Sequence, residues 1–219
     1  MPNQNNEKQE LELIILPEPD KKGGKTILEV LQLRQTNRII SSEELPIQIL
    51  SNLLWAAFGV NREKTSVRNS GRTAPSASNS QEIDLYVVLK EGVYLYEVTH
   101  QLKLVLLGDY REMCSRWSAA ERTGIAPLNI IYIADLSRYD LGPNQPDPHI
   151  GETEIQKSYY YTDTGFIAQN VYLFAASEGL AAWFHNCDKI RISKELKLRP
   201  EQIILFAHTI GFPEQRSGE

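Results

Sequence analysis

Arg68-Asn-Ser-Gly-Arg-Thr-Ala-Pro-Ser-Ala-Ser-Asn-Ser-Gln81 contains no large apolar side chain. An apolar helical segment precedes it (Leu50, Leu53, Leu54, Trp55, Ala57, Phe58) and a strand-like run follows (Ile83, Leu85, Tyr86, Val87, Val88, Leu89), so both ends should be anchored in a core. Two readings are open. Small hydroxyl and amide residues between buried elements suit a loop that approaches a polar ligand closely, and they also suit a long connector rich in turn formers.

Outward from this loop, apolar Ile27, Val30 and Leu31 recur at helical spacing from Thr26 to about Gln35. Ser41-Ser-Glu-Glu44 has the form of a capping box opening a helix that ends near Gly59. Residues 83–89 and 93–98 flank Lys90-Glu-Gly92 as a hairpin, with residues 102–107 as a third strand. A helix is expected over 109–122 and a strand over 128–134. Pro143, Pro146 and Pro148 with Gly142 and Gly151 enforce an irregular loop over 136–152. A helix is expected from Asp163, as its N-cap, to Glu178, closed by Gly179, followed by strands over 180–184 and 202–207. Helices and strands mix without strict alternation, which predicts an α+β fold, a sheet layered with helices. Residues 1–23 read as a polar N-terminal extension and 24–219 as one domain.

The chain has 219 residues, 42% hydrophobic and 23% charged, with a mean hydropathy of -0.35, as in ordinary globular proteins. A net charge of -5, a pI of about 5.5 and the lack of a basic stripe argue against nucleic-acid binding. The longest apolar stretch, 171–184, is interrupted by Ser177 and Glu178 and is too short to span a membrane. Residues 1–10 lack the pattern of a secretory signal, so a cytoplasmic protein is expected, with an export leader already removed as the alternative. Cys114 and Cys187 lie far apart in sequence and read as reduced thiols. His100, His149, His185 and His208 form no zinc spacing, so no metal site is expected.

Gly23-Gly24-Lys25-Thr26 before a helix, with an apolar strand ending in Asp135, mimics a nucleotide-binding P-loop. Pro19 stands where that loop needs its first glycine, and neither Pro17 nor Pro19 has an N–H to offer a phosphate. Gly23 and Gly24 are better read as a joint before the helix.

Leu33-Arg-Gln-Thr-Asn-Arg38 closes the first helix with two arginines, a threonine and two amides. A basic residue near a helix end satisfies its last carbonyls and its dipole, which explains one arginine. Arg34 and Arg38, four apart, would share a helix face and make an anion clamp.

The arginine cluster, Pro75-Ser-Ala-Ser-Asn-Ser-Gln81, the helix over 163–179 and Ile210-Gly-Phe-Pro213, in that order over about residues 24–213, resemble the FMN-dependent nitroreductase family. Arg72-Thr-Ala-Pro-Ser76 with Leu53-Leu-Trp-Ala-Ala-Phe-Gly59 is similar to the branch that includes azoline dehydrogenases of the SagB and ThcOx type. The resemblance implies a mixed, largely antiparallel sheet and an intertwined homodimer with FMN at each of two interface sites. It implies that Arg34 and Thr36 hold the FMN phosphate, that Gln35 contacts the flavin and that Arg38 lies near its N1/C2 carbonyl side. Pro75, Ser76, Ala77 and Asn79 would reach the same flavin from the other subunit, and the backbone at Asn186 and Cys187 would lie beside N5.

The chemistry agrees with these roles. A guanidinium near N1 favours hydride acceptance, and the arginine fork matches a phosphate. Thr36 stands where many members have serine, and Arg216 is the one basic residue after the Gly-Phe-Pro turn. The implied function is an FMN-dependent oxidoreductase passing hydride between NAD(P)H or an organic donor and a nitro, quinone or azoline-type substrate. A flavin-binding or interaction protein that keeps the fold with little turnover is the alternative. Tyr159, Tyr160, Tyr161 and His149, in or near the proline-rich loop, are candidate proton donors.

Overall fold

The computed structural model describes residues 13–65, 70–116, 120–139 and 147–214. Arg68, Asn69, Gly142, Pro143, Pro146 and Arg216, named above, lie outside them. In chain order the elements are β1 (Leu13–Ile15), α1 (Ile27–Leu33), α2 (Ile47–Phe58), β2 (Val60–Arg62), β3 (Gly71–Arg72), β4 (Ile83–Val88), β5 (Gly92–Tyr96) and β6 (Gln101–Leu107). Then come α3 (Ala120–Ile125), β7 (Leu128–Asp135), α4 (Thr153–Glu178), β8 (Ala181–His185), α5 (Lys189–Leu196) and β9 (Gln202–Gly211). The main sheet has the order β1-β6-β5-β4-β7-β9-β8, and all its described ladders are antiparallel. β2 and β3 pair separately.

The central strands β4 and β7 are buried along their whole length, which is why both read as nearly unbroken apolar runs. Successive side chains still alternate between layers. Ile83, Leu85 and Val87 pack in one core with Leu53 and Leu54 of α2 and Ile167 and Val171 of α4. Tyr86 and Val88 pack in a second core with Met113, Cys114 and, from α5, Ile192 and Leu196. The sheet is thus covered on both faces, and α4 lies over the strands that carry the site.

Several elements depart from the sequence expectations. Ser41 does not cap a helix; its Oγ accepts the Glu43 N–H at 3.3 Å, and α2 opens after Pro46 as N-cap. Proline disfavours helical conformation in the residue before it, so Leu45 stays outside the helix. Asp163 is not an N-cap but a buried interior residue of α4, which opens ten residues earlier at Thr153. Tyr159, Tyr160 and Tyr161 therefore lie on a helix and not in a loop. The expected helix over 109–122 is a 3-10 turn at Arg111–Cys114 followed by α3. α5 was not anticipated, although Asp188 caps it by accepting the Arg191 N–H at 3.1 Å.

Gly23 and Gly24 form a joint, with φ of 89° and 79° that only glycine adopts freely. Lys25 is committed to the end of α4: its Nζ donates to the Ser177 carbonyl at 2.6 Å, where a cation complements the helix dipole. Thr26 caps α1 in a reciprocal box with Glu29. These bonds leave no phosphate cradle at the P-loop look-alike. Among the described residues no helix is long and apolar enough to cross a membrane, and no three His, Cys, Asp or Glu side chains group to hold a metal.

Candidate functional site

α1 is only seven residues long and stops at Leu33, with Arg34 already non-helical at the C-cap. Arg34 and Arg38 therefore do not share a helix face. Instead, residues 34–41 run past the edge strand β8. The Asn37 N–H donates to the Ala182 carbonyl at 3.0 Å and the Ser41 N–H to Phe212 at 2.9 Å, and Ile40 bridges to Pro213. The approach is so close that a Cβ on Gly211 would lie 2.7 Å from Ile40 Cγ2. The segment covers an edge that would otherwise be open to pairing.

Two aromatic residues receive the side chains of this segment. The Arg34 guanidinium lies over the Tyr172 ring of α4, 5.6 Å from its centroid, and Arg38 over the Trp183 ring of β8 at 5.8 Å. Thr36 Oγ1 is 2.9 Å from the Tyr172 hydroxyl, which also accepts the Phe184 N–H at 2.9 Å. Neither arginine has a carboxylate partner among the described residues. The result is two guanidiniums, each set over an aromatic ring and unpaired with a carboxylate among the described residues, which suits them to meet an anion.

Gln35 lines a cleft of about 310 Å³ with Asn37, Tyr172 and Pro213. Asn186 and Cys187 line another of about 450 Å³ with Arg116, Trp183 and His185. Trp183 thus joins Arg38 to the Asn186 loop, and Tyr172 joins Arg34 to Thr36. The Cys187 thiol is buried, which pushes its pKa up to about 11, so it is a poor nucleophile at neutral pH. Any part it has in the site falls to its backbone.

Beneath this loop His185 stacks on Trp183 with ring centroids 4.1 Å apart. Thr209 donates its hydroxyl to Asn129 at 2.6 Å, so it can only accept from His185 Nε2 at 2.8 Å. His185 Nδ1 faces another acceptor, the Asn186 carbonyl, at 2.8 Å. Burial lowers the His185 pKa, and a neutral ring has one N–H for these two acceptors.

The loop over 75–81 is held in a strained shape. Ser78, Asn79 and Gln81 have φ of 52°, 55° and 51°, a region that L-residues seldom adopt. Ser76 Oγ accepts the Gln81 N–H at 2.9 Å, Gln81 Nε2 donates to Ser70 at 2.8 Å, and Arg72 Nε donates to Gln81 Oε1 at 2.8 Å. Much of the polar character seen in the sequence thus serves to hold the loop itself. The Ala77 N–H donates to Asp163 on α4 at 2.8 Å. Asp163 and Tyr172 are nine positions apart, about 13–14 Å along a helix and half a turn around it. Within one chain the Pro75, Ser76, Ala77 and Asn79 stretch is thus docked well away from the arginine segment.

The candidate proton donors fall before or in the first turns of α4, with Tyr160 buried in the core. His149 pairs with Glu152 at 2.6 Å, and Tyr159 donates to Asp147. Tyr161 packs on Phe206 with centroids 5.8 Å apart. Sequence reasoning missed Tyr172 and Trp183 because an aromatic in an apolar run reads as core; both are in fact partly exposed.

The model of the nitroreductase family matches residues 31–212, spanning the arginine segment, the loop and β9. The chain belongs to that family. A Methanocaldococcus jannaschii protein assigned as a nitroreductase is 30% identical over 171 residues, 69% of this chain and 74% of the relative. A crystal structure of a Ralstonia eutropha JMP134 protein, also assigned as a nitroreductase, is 32% identical with a TM-score of 0.80, covering 94% of this chain and 91% of that one. A third, from Desulfovibrio desulfuricans and solved in complex with FMN, shares the fold at a TM-score of 0.58 with 16% identity, covering 90% of this chain and 91% of that one. The antiparallel sheet layered with helices is therefore a nitroreductase fold.

Proposed function

We propose that this nitroreductase-family chain is an FMN-dependent oxidoreductase. The observation that carries the reading is the pair Arg34 and Arg38, each over an aromatic ring and without a carboxylate partner among the described residues. Arg34 and Thr36 would hold the FMN phosphate, Gln35 would contact the ring, and Arg38 would face its N1/C2 carbonyl side. The backbone at Asn186 and Cys187 would face N5. Bound FMN would supply hydride acceptance and return. The chain's own contribution is a positive charge fixed where negative charge gathers on reduction.

The other half of the site would come from a second copy: the partner subunit's Pro75, the partner subunit's Ser76, the partner subunit's Ala77 and the partner subunit's Asn79. Two observations support an intertwined homodimer. The loop and the arginine segment meet α4 half a turn apart. α1 also bares Ile27, Leu28 and Leu31, each more than half exposed, an apolar face of the kind that marks an interface.

For the finer activity we favour the SagB and ThcOx-type branch, with NAD(P)H or an organic donor and a nitro, quinone or azoline-type acceptor. Its two sequence motifs are bonded to each other. The Thr73 N–H donates to the Gly59 carbonyl at 2.9 Å, Thr73 Oγ1 to Trp55 at 3.2 Å, and Arg72 to Phe58 at 2.8 Å. They behave as one unit behind the loop.

The test is the absorbance spectrum of the purified protein, before and after FMN addition, followed by anaerobic mixing with NADH, NADPH and an azoline substrate. Bound FMN bleached by one of these supports the oxidoreductase. Failure to bind flavin at all would overturn it, and bound flavin that none of them bleaches would leave the weak flavin-binding alternative.

A further inference from the structure

Two carboxyl groups are buried together behind the 75–81 loop. Asp163 on α4 is 4% exposed, and Glu82, just before β4, is fully buried. Each holds the loop by one oxygen: Asp163 Oδ2 accepts the Ala77 N–H at 2.8 Å, and Glu82 Oε2 accepts the Ser80 hydroxyl at 2.6 Å. The second Glu82 oxygen, Oε1, is buried with no hydrogen-bond partner among the described residues. The Asp163 carboxyl lies beside Glu82, and neither acid has an ion-pair partner among the described residues. A buried acceptor without a donor is costly, and two ionised carboxylates side by side in a dry site repel. One proton between them relieves both.

We propose that Asp163 is protonated in the folded protein, donating to Glu82 Oε1 while its other oxygen takes the Ala77 N–H, and that this neutral link is the positioning device for the loop. Burial first, and Glu82 beside it, push the Asp163 pKa up to about 7, so the link is held below neutrality and is lost above it. Other titratable groups face the pair. The Tyr139 hydroxyl lies beside both Glu82 and Asp163 and competes as a donor to Glu82, although its bond runs to the Gln156 carbonyl, 3.5 Å away. Tyr160 lies near Tyr139, and Tyr159 faces Asp163 from α4. These phenols are uncharged at neutral pH, so the proton that titrates belongs to the carboxyl pair. When it is lost, two like charges face each other under a backbone already strained at Ser78, Asn79 and Gln81, and the loop is the part free to give. That the loop serves a flavin rests on the function proposed above; the shared proton does not.

Infrared spectroscopy of the apo-protein separates the two claims. The parent should show the carbonyl band of a buried carboxylic acid that titrates away near neutrality. The band should be absent in Asp163→Asn and in Glu82→Gln, where an amide N–H replaces the shared proton, and should persist in Tyr139→Phe. FMN affinity, followed by quenching of flavin fluorescence, should fall several-fold in the parent from about one pH unit below to about one unit above neutrality. It should stay flat in Asp163→Asn and be weak throughout in Asp163→Ala. No such band in the parent, a band that survives Asp163→Asn, or a parent-like pH profile in Asp163→Asn would overturn the proposal. If the band behaves as expected and no variant binds FMN, the proton assignment stands and the flavin reading falls.

Discussion

Thr36 and Tyr172, 136 positions apart, meet hydroxyl to hydroxyl at 2.9 Å. Because the same tyrosine oxygen accepts the Phe184 N–H, one side chain of α4 ties the arginine segment to the edge of the sheet. Tyr172→Phe keeps the ring beneath Arg34 and removes both bonds. We expect a loss of about 1–2 kcal/mol, visible as a lower melting temperature with faster hydrogen exchange at the Phe184 amide. Unchanged melting and exchange would show that these bonds contribute nothing net.

The two arginines should separate in a redox titration with FMN in excess. Arg38→Ala removes a charge from the ring side and should destabilise reduced flavin by about 1–2 kcal/mol, lowering the midpoint potential by roughly 20–45 mV. Arg34→Ala should weaken FMN binding with little change in potential, because the phosphate charge is the same in both redox states. A larger shift in Arg34→Ala would exchange their roles.

Asp163 makes a signed statement about pH. Its folded pKa of about 7 lies above the unfolded value of about 3.9. Its contribution to stability is therefore full below the unfolded value and is lost as pH rises through the folded one. Asp163→Asn carries no such proton. Relative to the parent, the variant should gain stability on the order of a few kcal/mol as pH rises across that window, measured by urea denaturation at several pH values. A difference independent of pH would mean that Asp163 ionises normally.

Association should be linked to cofactor binding. Light scattering should give about twice the chain mass of 24.9 kDa. Leu28, 70% exposed on α1, is a site where a charge would be buried at the proposed interface. Leu28→Glu should therefore shift the protein toward monomer and weaken FMN binding together. A monomer that still holds stoichiometric FMN would contradict a shared site.

The thiols provide a control on burial. Cys114 and Cys187 are both buried, and burial raises the pKa of each. Iodoacetamide at mildly alkaline pH should label neither at an appreciable rate until the protein is unfolded. Rapid labelling of Cys187 in the native protein would place its side chain in the cleft.

The sheet was legible because β4, β5 and β6 are apolar runs separated by short polar turns, and because β4 and β7 are buried along their whole length, which leaves little else for such runs to form. The start of α4 was not. Residues 153–159 are half-buried at most and carry no apolar period, so Asp163 stood out as the first plausible cap. Sequence patterns also favoured a helical face for Arg34 and Arg38, whereas hydrogen bonds to Ala182 of β8 and to Phe212 just past β9, distant in sequence, hold the segment after Arg34 in an extended path. Glu82 was invisible for a different reason: a carboxylate at the head of a strand reads as solvated, and only the arrival of Ser80 and Asp163 around it shows that it is dry.

The loop anchored at Asp163 and the arginine segment anchored at Tyr172 through Arg34 and Thr36 approach α4 from opposite flanks, and this geometry has a genetic corollary. If one chain's loop completes another chain's arginine site, an Arg38→Ala chain and an Asp163→Ala chain are defective in different halves. Unfolded together and reassembled, they form mixed pairs in which one site carries both lesions and the other carries neither. Two feeble proteins would thereby complement each other in a single tube, recovering activity that neither regains alone.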